Sequence, residues 1–276
     1  MYKAKKSYGQ HFLVNEGTAA KIAGLLIREE AIKNVLEVGP GQGMLTKYLV
    51  KQDINLKVIE ADSDMVESLK LNFVELTDEN IIFLDFLKAN LSKVFNGEQF
   101  YIIGNFPYNI SSQIVFKMIN AYHLVPEMVG MFQREVADRI IAPPGSKTYG
   151  VISVLTQAFY DGTMLLKIPP GAFNPPPKVN SAVIRLKRKA NTELNCDPKL
   201  FRILVKITFG QRRKMLRNTL KQFVSDPEVL SDEFYNKRPE QMSVQDFINI
   251  TNHIAKHKNN ELRDEDHGGP QGGDEG

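Results

Sequence analysis

Four short apolar runs, each ending at a glycine or a polar residue, constrain the fold of this chain more than any other feature. They are Val35-Leu36-Glu37-Val38 before Gly39, Leu56-Lys57-Val58-Ile59 before Glu60, Ile81-Ile82-Phe83-Leu84 before Asp85, and Tyr101-Ile102-Ile103-Gly104 before Asn105. Short apolar runs each ending in a polar residue suit strands of a parallel sheet. Helical patterns alternate with strands over residues 19–159, which predicts an α/β fold with a doubly wound, mostly parallel sheet. Helices are expected over 18–27, 111–121 (with Ser111 as N-cap), 134–140 and 149–160, and a strand over 128–133. Two later apolar runs, 164–168 and 182–186, read as an antiparallel closing hairpin around the stiff proline-rich loop 169–178. Open sheets of this kind bind ligands beyond the carboxyl ends of their strands, where the polar residues fall.

The first run opens into Gly39-Pro40-Gly41-Gln42-Gly43, and Met44 to Leu49 then reads as a helix. Glycines in that turn let a ligand approach the backbone. The G-x-G-x-G spacing is not that of dinucleotide folds, and taken alone it is weak evidence. Glu60 follows Gly39 by 21 positions, a placement suited to hydrogen-bonding a ribose hydroxyl pair. Asp85 could take the amino group of an adenine. The fourth run leads into Asn105-Phe106-Pro107-Tyr108. There an amide oxygen and a proline carbonyl without a competing N–H can accept from a planar amino group. The tyrosine offers a face for a flat base. By itself this tetrapeptide could equally be a turn; following the glycine turn and two strand-end acids, it reads as a site.

The chain is 276 residues long with 42% hydrophobic composition, enough for one large core and a small second domain. No apolar run is long enough to span a bilayer. The basic start, Met1 to Ser7, lacks the apolar stretch of a signal peptide, so a cytoplasmic protein is expected. The single Cys196 excludes an intramolecular disulfide, and five scattered histidines show no metal-ligand spacing, so no metal is expected. Residues 261–276 hold six acids against Arg263; with a net charge of +3, the rest carries +8. A basic body favours a polyanionic partner, while the acidic, glycine-rich end reads as disordered. The expected organisation is a basic arm at 1–17, an α/β domain at 18–189, a helical domain at 190–258 and a tail at 259–276. The helical domain carries Arg212, Arg213, Lys214, Arg217 and Lys221. Arg213, Arg217 and Lys221 are four apart and would share a helix face. Most such runs are solvated faces, but scarce neighbouring acid favours phosphate contact here.

Six motifs in order resemble the bacterial small-subunit (16S) ribosomal RNA adenine N6,N6-dimethyltransferases, the KsgA/RsmA family. They are Lys6-Ser7-Tyr8-Gly9-Gln10-His11-Phe12-Leu13, Glu37 to Gly43, Asn105 to Ser111, Gln133 to Ala137, Phe173 to Val183, and Phe209 to Lys214. The resemblance implies a Rossmann-like class I methyltransferase fold with a small C-terminal helical domain. It implies S-adenosylmethionine as cofactor, leaving as S-adenosylhomocysteine, and two adjacent adenines near the 3′ end of small-subunit rRNA as substrate. Carried onto this chain, His11, Leu13, Gly39, Gly41, Glu60, Asp85 and Asn105 would bind the cofactor. Asn is frequent in the family where this chain has His11, and an imidazole can still hydrogen-bond. Asn105, Pro107 and Tyr108 would act on the adenine, with Phe173 as the second stacking face; Phe12 and Phe173 have the alternative of being core aromatics, and for Phe12 core or lid packing is at least as good a reading. On that basis Tyr108→Phe should cost little and Tyr108→Ala much more. Lys5, Lys6 and the basic cluster at 212–221 would contact RNA. A monomer acting on assembling small subunits, and serving there as a biogenesis checkpoint, is the expectation. The rivals are a large-subunit (23S) rRNA dimethyltransferase of the antibiotic-resistance type, a DNA adenine methyltransferase, and a non-catalytic assembly factor.

Overall fold

The computed structural model describes residues 11–27, 31–224 and 226–266. The described residues form two compact units, one within Met1–Ile141 and Phe159–Thr192, the other within Ala142–Ala158 and Glu193–Gly276.

The first unit begins with β1 (Phe12–Leu13) and α1 (Glu16–Ala23). Asn15 caps that helix, its side chain accepting from Thr18 N at 2.8 Å. α1 ends at Ala23 with Gly24 as its C-cap, short of the expected residue 27. β2 (Asn34–Val38) and α2 (Thr46–Leu49) follow, then β3 (Asn55–Glu60), α3 (Ser63–Asn72), β4 (Ile81–Phe83) and α4 (Leu91–Val94). Beyond them come β5 (Tyr101–Asn105), α5 (Ser111–Asn120), β6 (Glu127–Gln133) and α6 (Arg134–Ile140). Ser111 is not the cap of α5. Ile110 holds that position, and the Ser111 hydroxyl instead donates back to Tyr108 O at 3.1 Å. All five residues of β2 are buried, Asn34 and Glu37 included, as in a strand covered on both faces.

After an excursion into the second unit, the chain adds β7 (Tyr160–Ile168), β8 (Phe173–Asn174) and β9 (Ser181–Arg188). The main sheet has the order β4-β3-β2-β5-β6-β9-β7. Pairings from β4 through β6 are parallel, and β9 is antiparallel to both β6 and β7. The last strand thus inserts between β6 and β7 rather than closing the edge. On one face Val35, Val58, Ile103, Val129 and Val183 form a core with Ile22, Leu49 and Leu69 from α1, α2 and α3. β1 pairs with β8 in a separate antiparallel ribbon, with Leu13 opposite Phe173.

The second unit takes α7 (Val151–Gln157), α8 (Pro198–Gly210), α9 (Leu216–Leu220) and α10 (Val244–Asp266). The stretch 142–158 therefore packs with the C-terminal helices, although in sequence it lies inside the expected α/β domain. The helix predicted over 149–160 ends at Gln157, and Tyr160 already belongs to β7. Nor is there one continuous basic helix. α8 stops at Gly210, residues 211–214 turn, and α9 starts only at Leu216, where the chain buries Leu216 and Leu220 completely. Arg213 lies in the turn and Lys221 in a 3-10 segment, so Arg213, Arg217 and Lys221 do not share a helix face.

Candidate active site

Strand order reverses between β2 and β5, and the crevice there opens over the carboxyl ends of the strands. Gly39 and Gly41, just past β2, have φ of 68° and 55°, the left-handed region that glycine enters without steric cost. A Cβ on Gly41 would approach the Phe12 ring to 3.2 Å. The turn is pinned to β3, with Gly39 N donating to Ile59 O at 3.0 Å and Gly41 N to Glu60 Oε2 at 3.1 Å. Glu60 Oε1 accepts from Ala61 N at 2.8 Å and Asp62 N at 3.0 Å. Burial raises its pKa, and the three backbone donors work against that rise.

Behind the turn lies Glu37, which accepts from Thr46 Oγ1 at 2.7 Å. Burial pushes its carboxyl up to about 8, and the neighbouring Glu60 charge adds to the rise. Asp85 follows β4, and its Oδ1 accepts from Leu87 N at 2.9 Å. Lys117 reaches from α5 to donate to Leu87 O at 2.8 Å.

Asn105 ends β5. Its Nδ2 donates to the main-chain carbonyl of His11 at 3.1 Å. A carbonyl can only accept, so the amide orientation is fixed and Oδ1 is turned the other way as an acceptor. The next residue, Phe106, is fully buried and lies edge-on to Phe132, with centroids 5.2 Å apart. Room for it comes from Gly104 and Gly130, which face each other across β5 and β6. A Cβ on Gly130 would sit 2.2 Å from the Phe106 ring, and one on Gly104 2.5 Å from Val38 O. Pro107 O accepts from Ile110 N at 3.2 Å, which leaves a second lone pair. The Tyr108 hydroxyl is 2.5 Å from Ser181 Oγ on β9, and burial raises its pKa. The His11 ring lies against Tyr108, centroids 5.3 Å apart at 30°, while its Nδ1 is 2.9 Å from Pro175 O.

The glycine turn, Glu60, Asp85, His11 and the Asn105–Tyr108 stretch line a cavity of about 290 Å³. All seven cofactor positions expected from sequence line it, together with Phe12, Pro107 and Tyr108. Phe173 does not. It is 3% exposed inside the core behind Leu13, so a base cannot stack on it, and its role is corrected from stacking face to packing. Ser181 and Pro175 stand in the Phe173–Val183 motif, but nothing in the sequence assigned them a role, because their partners lie 73 and 164 residues away. Lys5 and Lys6 lie outside the described residues. In the second unit Arg213, Lys214 and Lys221 are exposed. Arg212 instead pairs with Glu240 at 3.7 Å and donates to Ser146 O, and Arg217 has a buried, unpartnered Nε.

A mostly parallel sheet with one inserted antiparallel strand, glycine-rich after its first long strand and Asn-Phe-Pro-Tyr after its fourth, defines a class I methyltransferase. The chain belongs to the ribosomal RNA adenine dimethylase family, whose profile matches residues 1–256. It is similar to the Ribosomal RNA small subunit methyltransferase A of Bacteroides fragilis, with 51% identity over 93% of this chain and 94% of the relative. Its likeness to the Flavobacterium johnsoniae protein of the same name is 50% over 91% of this chain and 96% of that one. Among solved structures, a dimethyladenosine transferase from Plasmodium falciparum superposes with a TM-score of 0.73 and 27% identity, covering 90% of this chain and 98% of that one. A 23S rRNA methyltransferase shares the fold at a TM-score of 0.63 and 24% identity, over 87% of this chain and 99% of that one.

Membership makes the chain a methyltransferase acting on rRNA, and the fold and family imply S-adenosylmethionine. The residues fit that cofactor. Glu60 keeps acceptor capacity for a ribose, Asp85 stands ready for an amino group, and the Gly41 cradle is one that any Cβ would narrow. Among the described residues no group of three potential ligands could hold a metal, and no helix is long and apolar enough to cross a membrane.

Proposed function

We propose that this enzyme methylates N6 of two adjacent adenines near the 3′ end of small-subunit rRNA, twice each, with S-adenosylmethionine as donor. Its relatives at about half identity carry the small-subunit name, which supports this RNA over the large-subunit alternative. The observation that carries the chemistry is the fixed Asn105 amide, held by His11 O so that Oδ1 is presented as an acceptor.

An adenine amino lone pair is delocalised into the ring, so N6 is a poor nucleophile. Asn105 Oδ1 and the remaining lone pair of Pro107 O each accept one N6–H. That favours a pyramidal nitrogen and aims its lone pair across the cavity. Bound S-adenosylmethionine supplies an electrophilic sulfonium methyl. Positioning of this kind is worth about 7–11 kcal/mol when the geometry is near attack. The same two dipoles stabilise positive charge as it develops on N6. Tyr108 gives the extruded base its stacking face, at about 1–3 kcal/mol. The N6 proton becomes acidic once the methyl has moved and leaves to water, so no strong carboxylate base is needed. Glu60 and Asp85 bind ribose and cofactor adenine, and Leu13, Gly39 and Gly41 complete that end. Exposed Arg213, Lys214 and Lys221, with Lys5 and Lys6, meet RNA phosphates. The enzyme works in the cytoplasm as a monomer on an assembling small subunit, where its binding also serves as a checkpoint.

The test is methyl transfer from labelled S-adenosylmethionine to unmethylated small subunits, with large subunits and adenine-containing DNA in parallel. N6,N6-dimethyladenine confined to small-subunit RNA is expected, and label in large-subunit RNA would overturn the assignment. Asn105→Ala is expected to lose transfer by at least about a hundredfold while still binding the subunit.

A further inference from the structure

The His11 side chain has two neighbours for which a cofactor ligand has no use. Nδ1 lies 2.9 Å from Pro175 O, a carbonyl that can only accept, so Nδ1 carries the proton and donates. Its ring rests on Tyr108 at 5.3 Å. Its own main-chain carbonyl holds the Asn105 amide. One residue thus ties the start of β1 to the loop after β8 and sets the position of the carbonyl that orients Asn105. It also braces one side of a tyrosine whose far end is tethered to Ser181. The ribbon partners Phe12 and Asn174 adjoin this clip, and Val14 N donates to Ala172 O at 2.8 Å beyond it.

We infer that the His11 imidazole is a positioning residue for the methyl-accepting adenine, acting through Asn105 and Tyr108, and is not chiefly a cofactor ligand. This rests on the adenine reading of the Asn-Phe-Pro-Tyr site. The ring clip fixes residue 11, residue 11 fixes the acceptor geometry, and the ring fixes the plane on which the base stacks. Without the clip, Asn105 and Tyr108 drift by fractions of an ångström to an ångström, a displacement that alone can cost about a hundredfold in rate.

Three variants separate these roles. His11→Asn keeps an N–H donor for Pro175 O and loses the ring. His11→Phe keeps the ring and loses the donor. His11→Ala loses both. In full-length protein, His11→Ala is expected to lower kcat on small subunits at least about tenfold, with the two conservative variants in between and the Kd for S-adenosylmethionine within about twofold throughout. An activity-independent readout is the ring-carbon NMR signal of Tyr108 in tyrosine-labelled protein, assigned by its loss in Tyr108→Phe. It is expected to shift and broaden in His11→Ala, less so in His11→Phe. A kcat within twofold of wild type, or a Kd loss with kcat kept at saturating cofactor, would overturn the inference. So would a rise in kcat, which would mark the ring as an occupant of the base's place. Wild-type protein that fails to methylate small subunits would instead sink the substrate reading, which the NMR arm does not depend on.

Discussion

Glu37 is a carboxyl group at the bottom of the site with nowhere to put a charge. Burial pushes its pKa from the ordinary 4.5 up to about 8, and Thr46 alone donates a side-chain hydrogen bond to it. The folded protein therefore holds a proton there across a pH range in which the unfolded chain has lost it. Stability linked to this group is fully present below about pH 4.5, falls as pH rises toward 8, and levels off above that, by on the order of a few kcal/mol. Glu37→Gln keeps the shape without the charge. It is expected to flatten this slope and to raise Tm at pH 8 relative to wild type, while the two proteins converge near pH 5; thermal melts across that range check it. At Tyr108 the structure revises a simpler expectation. Its hydroxyl is the partner of fully buried Ser181, so Tyr108→Phe strands that oxygen. The cost is about 1–3 kcal/mol rather than nothing. Tyr108→Ala should still be the worse enzyme, since it removes the stacking face as well. Restoring Tyr108→Phe by adding Ser181→Ala, seen in melts and in kcat, would identify the hydroxyl's part as packing order rather than chemistry.

Two glycines facing each other across β5 and β6 let the Phe106 ring into the sheet. That wedge is what turns the chain after Asn105 so that Pro107 and Tyr108 face the cavity. Gly130→Ala puts a methyl into the ring and is expected to cost about 1–3 kcal/mol and to reduce kcat, though Gly130 touches no ligand. Phe106→Leu in the same chain should recover part of both losses, and a double-mutant cycle on Tm and kcat measures the coupling. This slot was invisible in the sequence, where Gly104 and Gly130 are ordinary strand residues 26 apart and Phe106 is only an apolar residue in a motif. The strands themselves were legible, because buried strands are written as short, mostly apolar runs between polar ends. So were Glu60 and Asp85, because a parallel sheet puts its strand ends on one edge. α6 matched at both ends, Arg134 to Ile140. Phe173 was misread because a stacking aromatic and a core aromatic look alike until burial is known. The 142–158 stretch was misplaced because its allegiance is settled by α8 and α10, far along the chain.

The net charge of the whole molecule is small, +3, but it is unevenly spread along the chain. In the second unit the exposed cations are those free to meet phosphate. Arg213→Glu with Lys214→Glu should weaken small-subunit binding and lower the salt slope by about one for each phosphate no longer neutralised, with Tm unchanged. Arg212→Glu should instead lower Tm, since Arg212 is half-buried and paired with Glu240. Filter binding at several salt concentrations beside melts distinguishes the two. The insertion of β9 has a different kind of consequence, one of order in time. Among the described residues β7 pairs only with β9, and β6 shows an open edge until β9 arrives. A ribosome making this chain has released the glycine turn, both strand-end acids and Asn105 before it has made Ser181. β6 and β7 stay unjoined, and the Tyr108 hydroxyl lacks its Ser181 partner, until that late strand lies between its two neighbours. An amino-terminal fragment stopping short of Ser181 is therefore expected to lack methyl transfer, and activity in such a fragment would show that the late strand is dispensable.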